Sequence, residues 1–162
     1  MDSNNARIFV IDDEESVRHS IAWLVGSMSL KVEGFASAQS FLDENISCSL
    51  GCLIVDVRMP NMSGLQLQKA LVERNFQLPI IFLSAYGDAH MGAHAIKNGA
   101  IDFLQKPYQN QDLLDAINSA LKVCKDQLES KAKTTGYFEK FDSLSQREKE
   151  VLSLVAEGKT SK

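Results

Sequence analysis

The chain has 162 residues, of which 44% are apolar and 23% are charged, a composition typical of a soluble protein with one buried core and an appendage. No apolar run approaches the roughly 18 residues that span a bilayer, and the N-terminus is too short and polar for a signal peptide, so we expect a cytosolic protein without a membrane partner. Nine of the 17 Lys and Arg residues but fourteen of the 21 acids precede residue 125, which argues against a nucleic-acid surface in that part of the chain.

Strand-like and helix-like segments alternate along the chain. The strand-like runs lie near residues 7–11, 31–35, 51–56, 79–84 and 101–104, and the amphipathic stretches near 15–28, 37–44, 64–74, 88–98 and 110–124. Four of the five runs are mostly continuous and apolar, as expected for strands covered by helices on both faces, whereas the second alternates and is predicted at an edge. The pattern predicts an α/β fold, a flavodoxin-like five-stranded parallel sheet in the order 2-1-3-4-5.

Charged residues follow three of the predicted strands. Asp12 and Asp13 close the first strand, Asp56 closes the third, and Lys106 precedes Pro107 after the fifth. The predicted order makes strands 1 and 3 neighbours, and open α/β sheets keep their sites at the carboxyl ends of the strands. We therefore expect three carboxylates and one ammonium group to lie together at this edge.

Mutual repulsion of these carboxylates predicts a bound cation. Two carboxylates about 4 Å apart repel by roughly 4 kcal/mol at an effective dielectric near 20. Three acids need a counter-charge to stay ionised together, and Mg²⁺ suits a site with few carboxylates, several waters and phosphate oxygens. The sequence thus predicts a Mg²⁺ site at Asp12, Asp13 and Asp56.

Phosphoryl transfer is the chemistry that such a site favours. Once the cation offsets the acids, the carboxylate of Asp56 can attack phosphorus and form an aspartyl phosphate. Lys106 would neutralise one phosphoryl oxygen as a compact point charge. The hydroxyl of Ser84, at the end of the fourth run, would donate to another.

At these residues the chain resembles the receiver domain of two-component response regulators. The match covers about residues 6–122 and includes the acidic pair, Asp56 in the run DVRMPNMSG, Ser84 before a small residue, and the Lys106-Pro107 pair. The resemblance implies that a histidine kinase phosphorylates Asp56. It also implies a phosphoacceptor that promotes its own phosphorylation and dephosphorylation, rather than an enzyme.

The same resemblance implies further roles. Asp13, Asp56 and the backbone carbonyl of Arg58 would bind Mg²⁺ directly, and Asp12 mostly through water. Phe103 stands where receivers carry the aromatic switch that responds to Ser84, and phosphorylation would favour a homodimer. Receivers similar to this one also carry a cis peptide bond after the lysine.

The chain changes character past residue 124. An apolar stripe continues from the last core helix to Leu128, and the polar residues that follow are rich in helix formers, so we predict a helical linker that ends near Thr135 and Gly136. Ser145 and Glu148 then form a capping box ahead of a helix that Gly158 would stop.

This last stretch resembles the opening of the LuxR-type helix-turn-helix domain of FixJ-like and NarL-like response regulators. The organisation implied is a receiver domain at 1–122, a linker at 123–143 and the start of a DNA-binding domain at 144–162, with a second helix beginning near Thr160. We interpret the sequence as a truncated protein whose full-length parent binds promoter DNA and controls transcription.

Other classes of function fit the residues less well. A hydrolase with an aspartyl nucleophile would want an acid two residues after Asp56, where Arg58 stands. A flavin or nucleotide binder would want a Gly-rich or hydroxyl-rich phosphate loop after the first strand, where four acids stand instead. A receiver that acts through a protein partner without DNA is the alternative that remains.

Two further groups have metal-binding residue types. His90 and His94 lie four residues apart on a predicted helix, but no third ligand is evident, so a solvated helix face is favoured. Cys48, Cys52 and Cys124 are an odd set in a cytosolic chain, for which buried or idle thiols are favoured over zinc or redox roles.

Overall fold

The computed structural model describes residues 5–85, 89–156 and 158. The chain forms two compact units, Met1–Asp126 and Gln127–Lys162. The strands all lie in the first unit. Within the described residues, no helix is both long and apolar enough to cross a membrane.

A parallel sheet forms the centre of the first unit. Its strands are β1 (Arg7–Ile11), β2 (Lys31–Phe35), β3 (Gly51–Asp56), β4 (Ile80–Ser84) and β5 (Asp102–Gln105). They pair in parallel in the order β2-β1-β3-β4-β5. Every residue of β3 and β4 is buried, while the alternating β2 is partly exposed at one edge. Both the predicted strand order and the edge position of the second strand are confirmed.

Helices follow the strands in the expected alternation. They are α1 (Glu15–Gly26), α2 (Ala38–Asp43), α3 (Gly64–Glu73), α4 (Ala89–Lys97), α5 (Asn110–Asp142) and α6 (Gln146–Ala156). Reciprocal capping boxes, formed by Ser37 with Ser40 and by Ser63 with Gln66, fix where α2 and α3 begin. The start predicted for the fourth helix, at residue 88, lies outside the described residues.

Apolar side chains pack on both faces of the sheet, as the continuous apolar runs predict. One core cluster joins Ile8 and Val10 of β1 to Ile21 of α1 and Ile117 of α5. On the other face, Phe9, Phe35, Phe41 and Phe76 make ring contacts with centroid distances of 5.2–6.4 Å. Because the strands are held from both sides, the loops at their carboxyl ends stand on a rigid base.

The end predicted for the linker helix is wrong. Instead of ending near Thr135 and Gly136, α5 continues to Asp142. Gly136 is not among the residues with positive φ; its direct neighbours Thr135 and Tyr137 are only moderate helix formers, but strong ones stand at 131–133 and 139–140. One glycine costs a helix only about 1 kcal/mol relative to alanine, which is too little to end it without a left-handed backbone. The helix ends where Ser143 donates its backbone N–H to Glu139 and its hydroxyl to the carbonyl of Lys140.

In the second unit, α6 begins and ends as predicted. The N–H of Ser145 donates to Glu148 at 2.8 Å and the N–H of Glu148 donates to the Ser145 hydroxyl at 3.3 Å, which confirms the capping box. Gly158 has a positive φ of 72°, a conformation that ends helices. The helix buries none of its described side chains. Thr160, the predicted start of a second helix, lies outside the described residues.

Candidate functional site

Asp12 directly follows β1 and is held from several sides. Its N–H donates to the carbonyl of Phe35 on β2 at 3.1 Å, which extends the strand pairing by one residue. Its carboxylate Oδ1 accepts the N–H of Glu14 at 2.9 Å, so the chain turns sharply into α1. Asp12 is 1% exposed, whereas Asp13 is exposed to solvent. One acid of the pair is therefore fixed and the other is accessible.

Asp56 ends β3 and is 7% exposed. The next N–H, that of Val57, donates to Leu83 at 2.9 Å, and the Val57 carbonyl accepts the N–H of Gly64 at 2.9 Å. A Cβ added at Gly64 would lie 2.5 Å from the carbonyl oxygen of Asp56, a distance no side chain tolerates. Glycine is therefore required where α3 begins, because the helix approaches the backbone of the acid so closely.

Lys106 joins the two strand ends. Its backbone N–H donates to the carbonyl of Ser84 at 2.6 Å, and its ammonium lies 3.1 Å from Asp12 Oδ2 and 3.2 Å from Asp56 Oδ1. The peptide bond between Lys106 and Pro107 is cis, as expected. One ammonium group thus neutralises part of the charge of two carboxylates that belong to different strands.

The donor set fits a hard divalent cation. One carboxylate oxygen from each of Asp12, Asp13 and Asp56 lies within 4.8 Å of the others. Carboxylate oxygens with solvent access on one side match the ligands that Mg²⁺ prefers, since this ion keeps several waters. No other group of three or more His, Cys, Asp or Glu ligands occurs in the described part of the chain.

The electrostatics of the cluster favour a bound cation. Burial raises the pKa of the Asp56 carboxyl, Lys106 opposes this, and the charges of Asp12 and Asp13 raise it further. Burial lowers the pKa of Lys106, but its hydrogen bonds and charge interactions with Asp12 and Asp56 outweigh burial and raise the pKa above its usual value. The acids therefore hold more negative charge than one ammonium group can offset.

The remaining predicted residues are placed around this cluster. Ser84 ends β4 and is 1% exposed, with its carbonyl bonded to Lys106. Arg58 is exposed in the loop between β3 and α3. Phe103, in the middle of β5, is half-buried and lies against α4, where a Cβ added at Gly92 would be 3.3 Å from its ring. Lys106 thus contacts Asp12 and Asp56, Asp13 lies with these two acids, and Phe103 contacts α4.

Two groups were missed in the sequence. Tyr108 is half-buried near the cluster; burial raises its pKa, Lys106 opposes this, and Asp12 adds to it. The guanidinium of Arg18 donates to the carbonyl of Asp12 at 2.7 Å. Neither residue belongs to a motif that a single sequence would reveal. Tyr108 simply stands two residues after the lysine, and Arg18 stands one turn into a helix.

The histidines and cysteines lie away from the cluster. His90 and His94 are on the exposed face of α4, and His94 contacts Asn98. Cys52 and Cys124 are buried. Burial raises the pKa of the Cys52 thiol, and the nearby Cys124 raises it further. Thiols held in the neutral form are poor nucleophiles and poor metal ligands.

Comparison with known proteins agrees with this geometry. Residues 8–118 match the model of the response regulator receiver domain. The chain is 57% identical over 159 residues to the transcriptional regulatory protein TdiR of Thauera aromatica, which covers 98% of this chain and 70% of TdiR. The structure of the response regulator StyR superposes with a TM-score of 0.84 at 38% identity, over 96% of this chain and 79% of StyR. Full-length FixJ from B. japonicum superposes with a TM-score of 0.71 at 34% identity, over 96% of this chain and 76% of FixJ.

Proposed function

Because this chain belongs to the response regulator receiver family of two-component systems, we propose that Asp56 is its phosphoacceptor and that a sensor histidine kinase is its phosphoryl donor. The observation that carries the proposal is the contact of one Lys106 ammonium with both Asp12 and Asp56, beside the exposed Asp13. The oxygens of a phosphoryl group on Asp56 would therefore lie close to the Lys106 ammonium, which is already in position.

The transfer is a displacement at phosphorus. A carboxylate oxygen of Asp56 forms the new bond to phosphorus, the bond from phosphorus to the imidazole nitrogen of the donor breaks, and that nitrogen keeps the electron pair. Lys106 would neutralise one phosphoryl oxygen, and the Ser84 hydroxyl would donate to another. Asp12 would keep Lys106 oriented during the transfer, since its carboxylate accepts a hydrogen bond from the ammonium at 3.1 Å.

Mg²⁺ fits the carboxylate cluster. Asp13, Asp56 and the backbone carbonyl of Arg58 would hold it directly, and Asp12 would do so through water, because the Asp12 oxygens already accept from Glu14 and Lys106. When bound, the ion supplies positive charge that offsets the acids and the phosphoryl oxygens. We propose that the same residues promote hydrolysis of the aspartyl phosphate by admitting water.

Phosphorylation would be read out on the face that contains α4 and β5. If Ser84 moves toward a phosphoryl oxygen, Phe103 can follow into the space it leaves, because its ring is only half-buried against Gly92. Phosphorylation shifts such an equilibrium only through its different interaction with the two states. We propose that the shifted face favours a homodimer in the cytoplasm.

Transcriptional control is the output that the relatives favour, since TdiR is named a transcriptional regulatory protein. We propose that residues 1–122 form the receiver, 123–143 the linker, and 144–162 the start of a LuxR-type helix-turn-helix domain that binds promoter DNA in a longer parent. The capping box of Ser145 and Glu148 and the exposed apolar face of α6 support this. A receiver that signals through a protein partner is the alternative.

A mass measurement tests the phosphoacceptor. The purified chain is incubated with acetyl phosphate and Mg²⁺ and its intact mass is compared with that of a sample treated with a metal chelator. We expect one added phosphoryl group with Mg²⁺ and far less with the chelator. Equal labelling with and without the metal would contradict the proposed site.

A further inference from the structure

All four polar groups of Asp12 have partners in the structure. Its N–H donates to Phe35, its two carboxylate oxygens accept from Glu14 and Lys106, and its carbonyl accepts from the guanidinium of Arg18 at 2.7 Å. Three of these contacts follow from strand pairing, from the turn and from the site itself. The contact with Arg18 is different, because it brings a long side chain back six residues to a backbone oxygen.

The position of Arg18 in α1 runs against two electrostatic tendencies. Arg18 is the fourth residue of the helix, and positive charges are disfavoured near a helix N-terminus. Its charge also lies close to the acid cluster, where by itself it would repel a divalent cation. An arginine with no structural role could stand elsewhere on the surface without these two electrostatic costs. We therefore infer that its hydrogen bond to the Asp12 carbonyl offsets them.

The aliphatic part of Arg18 lies over the edge strand. A Cβ added at Gly34 of β2 would stand 3.4 Å from Arg18 Cδ and 3.7 Å from Nε. The arginine stem therefore passes over Gly34 at a distance where a Cβ would just make van der Waals contact and a larger side chain would crowd it. The arginine packs on β2 through its stem and holds the turn between β1 and α1 through its guanidinium.

From this arrangement we propose that Arg18 is a positioning residue for the cation site, which fixes the backbone of Asp12 so that the Asp12 and Asp13 carboxylates face Asp56. The inference rests on the proposed function only in that the cation is Mg²⁺. Arg18 does not touch the carboxylate oxygens in any described contact, and acts through the peptide that joins Asp12 to Asp13.

Three roles for Arg18 give different results when its donor is removed. If Arg18 positions the acids, Arg18→Met weakens Mg²⁺ binding, by about tenfold if it resembles other groups that orient metal ligands. If Arg18 acts only through its charge, the same variant binds Mg²⁺ more tightly, because a repelling cation is gone. If Arg18 only packs against Gly34, melting temperature falls and Mg²⁺ affinity stays unchanged.

Calorimetric titration of the full chain with Mg²⁺, at constant ionic strength, separates these outcomes. The matched control is Arg74→Met. Arg74 also donates to a backbone carbonyl, that of Leu42 at 3.1 Å, but it stands at the C-terminal end of α3. We expect Arg74→Met to bind Mg²⁺ like the wild type. Unchanged or tighter binding by folded Arg18→Met would overturn the proposal.

Two further variants keep the test valid if Arg18→Met folds poorly. Arg18→Lys keeps a donor on a similar stem, so its Mg²⁺ affinity should lie between those of the wild type and Arg18→Met. Gly34→Val keeps the guanidinium but crowds its stem, and should weaken Mg²⁺ binding while the net charge stays the same. Wild-type affinity in Gly34→Val and Arg18→Lys together would overturn the positioning role.

The proposed function fails differently. A wild-type chain that binds no Mg²⁺, or that acetyl phosphate does not label, would overturn the site itself and the inference with it. A wild type that binds Mg²⁺ and is labelled, beside an Arg18→Met variant of equal affinity, would overturn only the role of Arg18.

Discussion

The ammonium of Lys106 lies 3.2 Å from Oδ1 of Asp56, although their strands β5 and β3 are separated in the sheet by β4. Lys106 follows the end of β5 and reaches across the end of β4, where its own N–H is bonded to Ser84. The contact therefore depends on the register of three strands. Any change that shifts β4 or β5 would separate the acid from its cation.

Removing this cation should destabilise the chain when Mg²⁺ is absent. Lys106→Met leaves Asp12 and Asp56 without their shared ammonium, at a cost on the order of 1–3 kcal/mol, the range for unmade bonds of charged groups. The pKa of Lys106 is raised in the folded chain. The stability that Lys106 contributes is therefore fully present below its ordinary pKa of 10.5 and is lost as pH rises through the folded pKa. At pH 7 the whole loss caused by Lys106→Met should be measurable.

Urea unfolding at pH 7 with a chelator measures this cost. Exposed Lys69→Met is the matched control and should leave stability nearly unchanged. Added Mg²⁺ should restore part of the lost stability, because it replaces the missing positive charge. Equal stability of Lys106→Met and wild type would show that the contact contributes nothing to the fold.

Neutralising Asp56 should have the opposite effect. Burial raises the pKa of this carboxyl, so the folded chain holds the proton more tightly than the unfolded chain, and stability falls as pH rises from the ordinary value of 3.8 through the raised value. Above the raised pKa the whole penalty is present, and Asp56→Asn removes it. We expect this variant to melt a few degrees above wild type in chelator.

The pH dependence shows whether Asp56→Asn stabilises the chain by removing the charge of Asp56 or only through better packing of the amide. The advantage of Asp56→Asn should shrink as pH falls toward 3.8, since the wild-type carboxyl then becomes neutral too. It should also shrink with Mg²⁺, which binds only the wild-type cluster well. Melting curves across pH, with and without metal, test both trends; a pH-independent difference would contradict them.

Phe103 should couple phosphorylation to self-association. In Phe103→Ala the side chain that would follow Ser84 is missing, so labelling of Asp56 by acetyl phosphate should remain while dimer formation is lost. Phe103→Tyr, which keeps the ring, is the control and should dimerise. Sedimentation of phosphorylated samples measures this, and a Phe103→Ala chain that dimerises like wild type would leave Phe103 as a packing residue only.

Residues 1–162 alone should not bind promoter DNA with sequence selectivity. A helix-turn-helix reads the major groove with its second helix, and in the proposed output domain α6 would be only the first helix. The eight Lys and Arg residues after position 124 are offset by seven acids, which leaves little attraction to phosphates. Titration of a labelled promoter fragment at physiological salt tests this, and selective nanomolar binding would contradict it.

The sheet and the charged cluster were predictable because both follow from local patterns. Continuous apolar runs identify buried strands, and acids placed at the ends of two such runs must meet once the strand order is known. That order also predicts that Lys106 lies near the acids, whereas its contacts with Asp12 and Asp56 depend further on the register of β4 and β5. The family resemblance supplied the switch roles proposed for Ser84 and Phe103.

The features that the sequence did not reveal depend on competition between weak effects. Gly136 looked like a helix end, but a single glycine costs a helix only about 1 kcal/mol, which is too little to end it, and α5 runs on to Asp142. The contact of Arg18 with the Asp12 carbonyl is made by a side chain that also passes over Gly34 in a neighbouring strand. Single-sequence patterns do not contain such tertiary information.

The most direct test of the central claim identifies the phosphorylated residue. Wild type and Asp56→Asn are incubated with acetyl phosphate and Mg²⁺, reduced with borohydride, which converts an aspartyl phosphate to homoserine, and analysed by peptide mass spectrometry. We predict homoserine at position 56 in the wild type and no modified acid in Asp56→Asn. Modification at Asp12 or Asp13 in the wild type, or undiminished labelling of Asp56→Asn, would contradict the account.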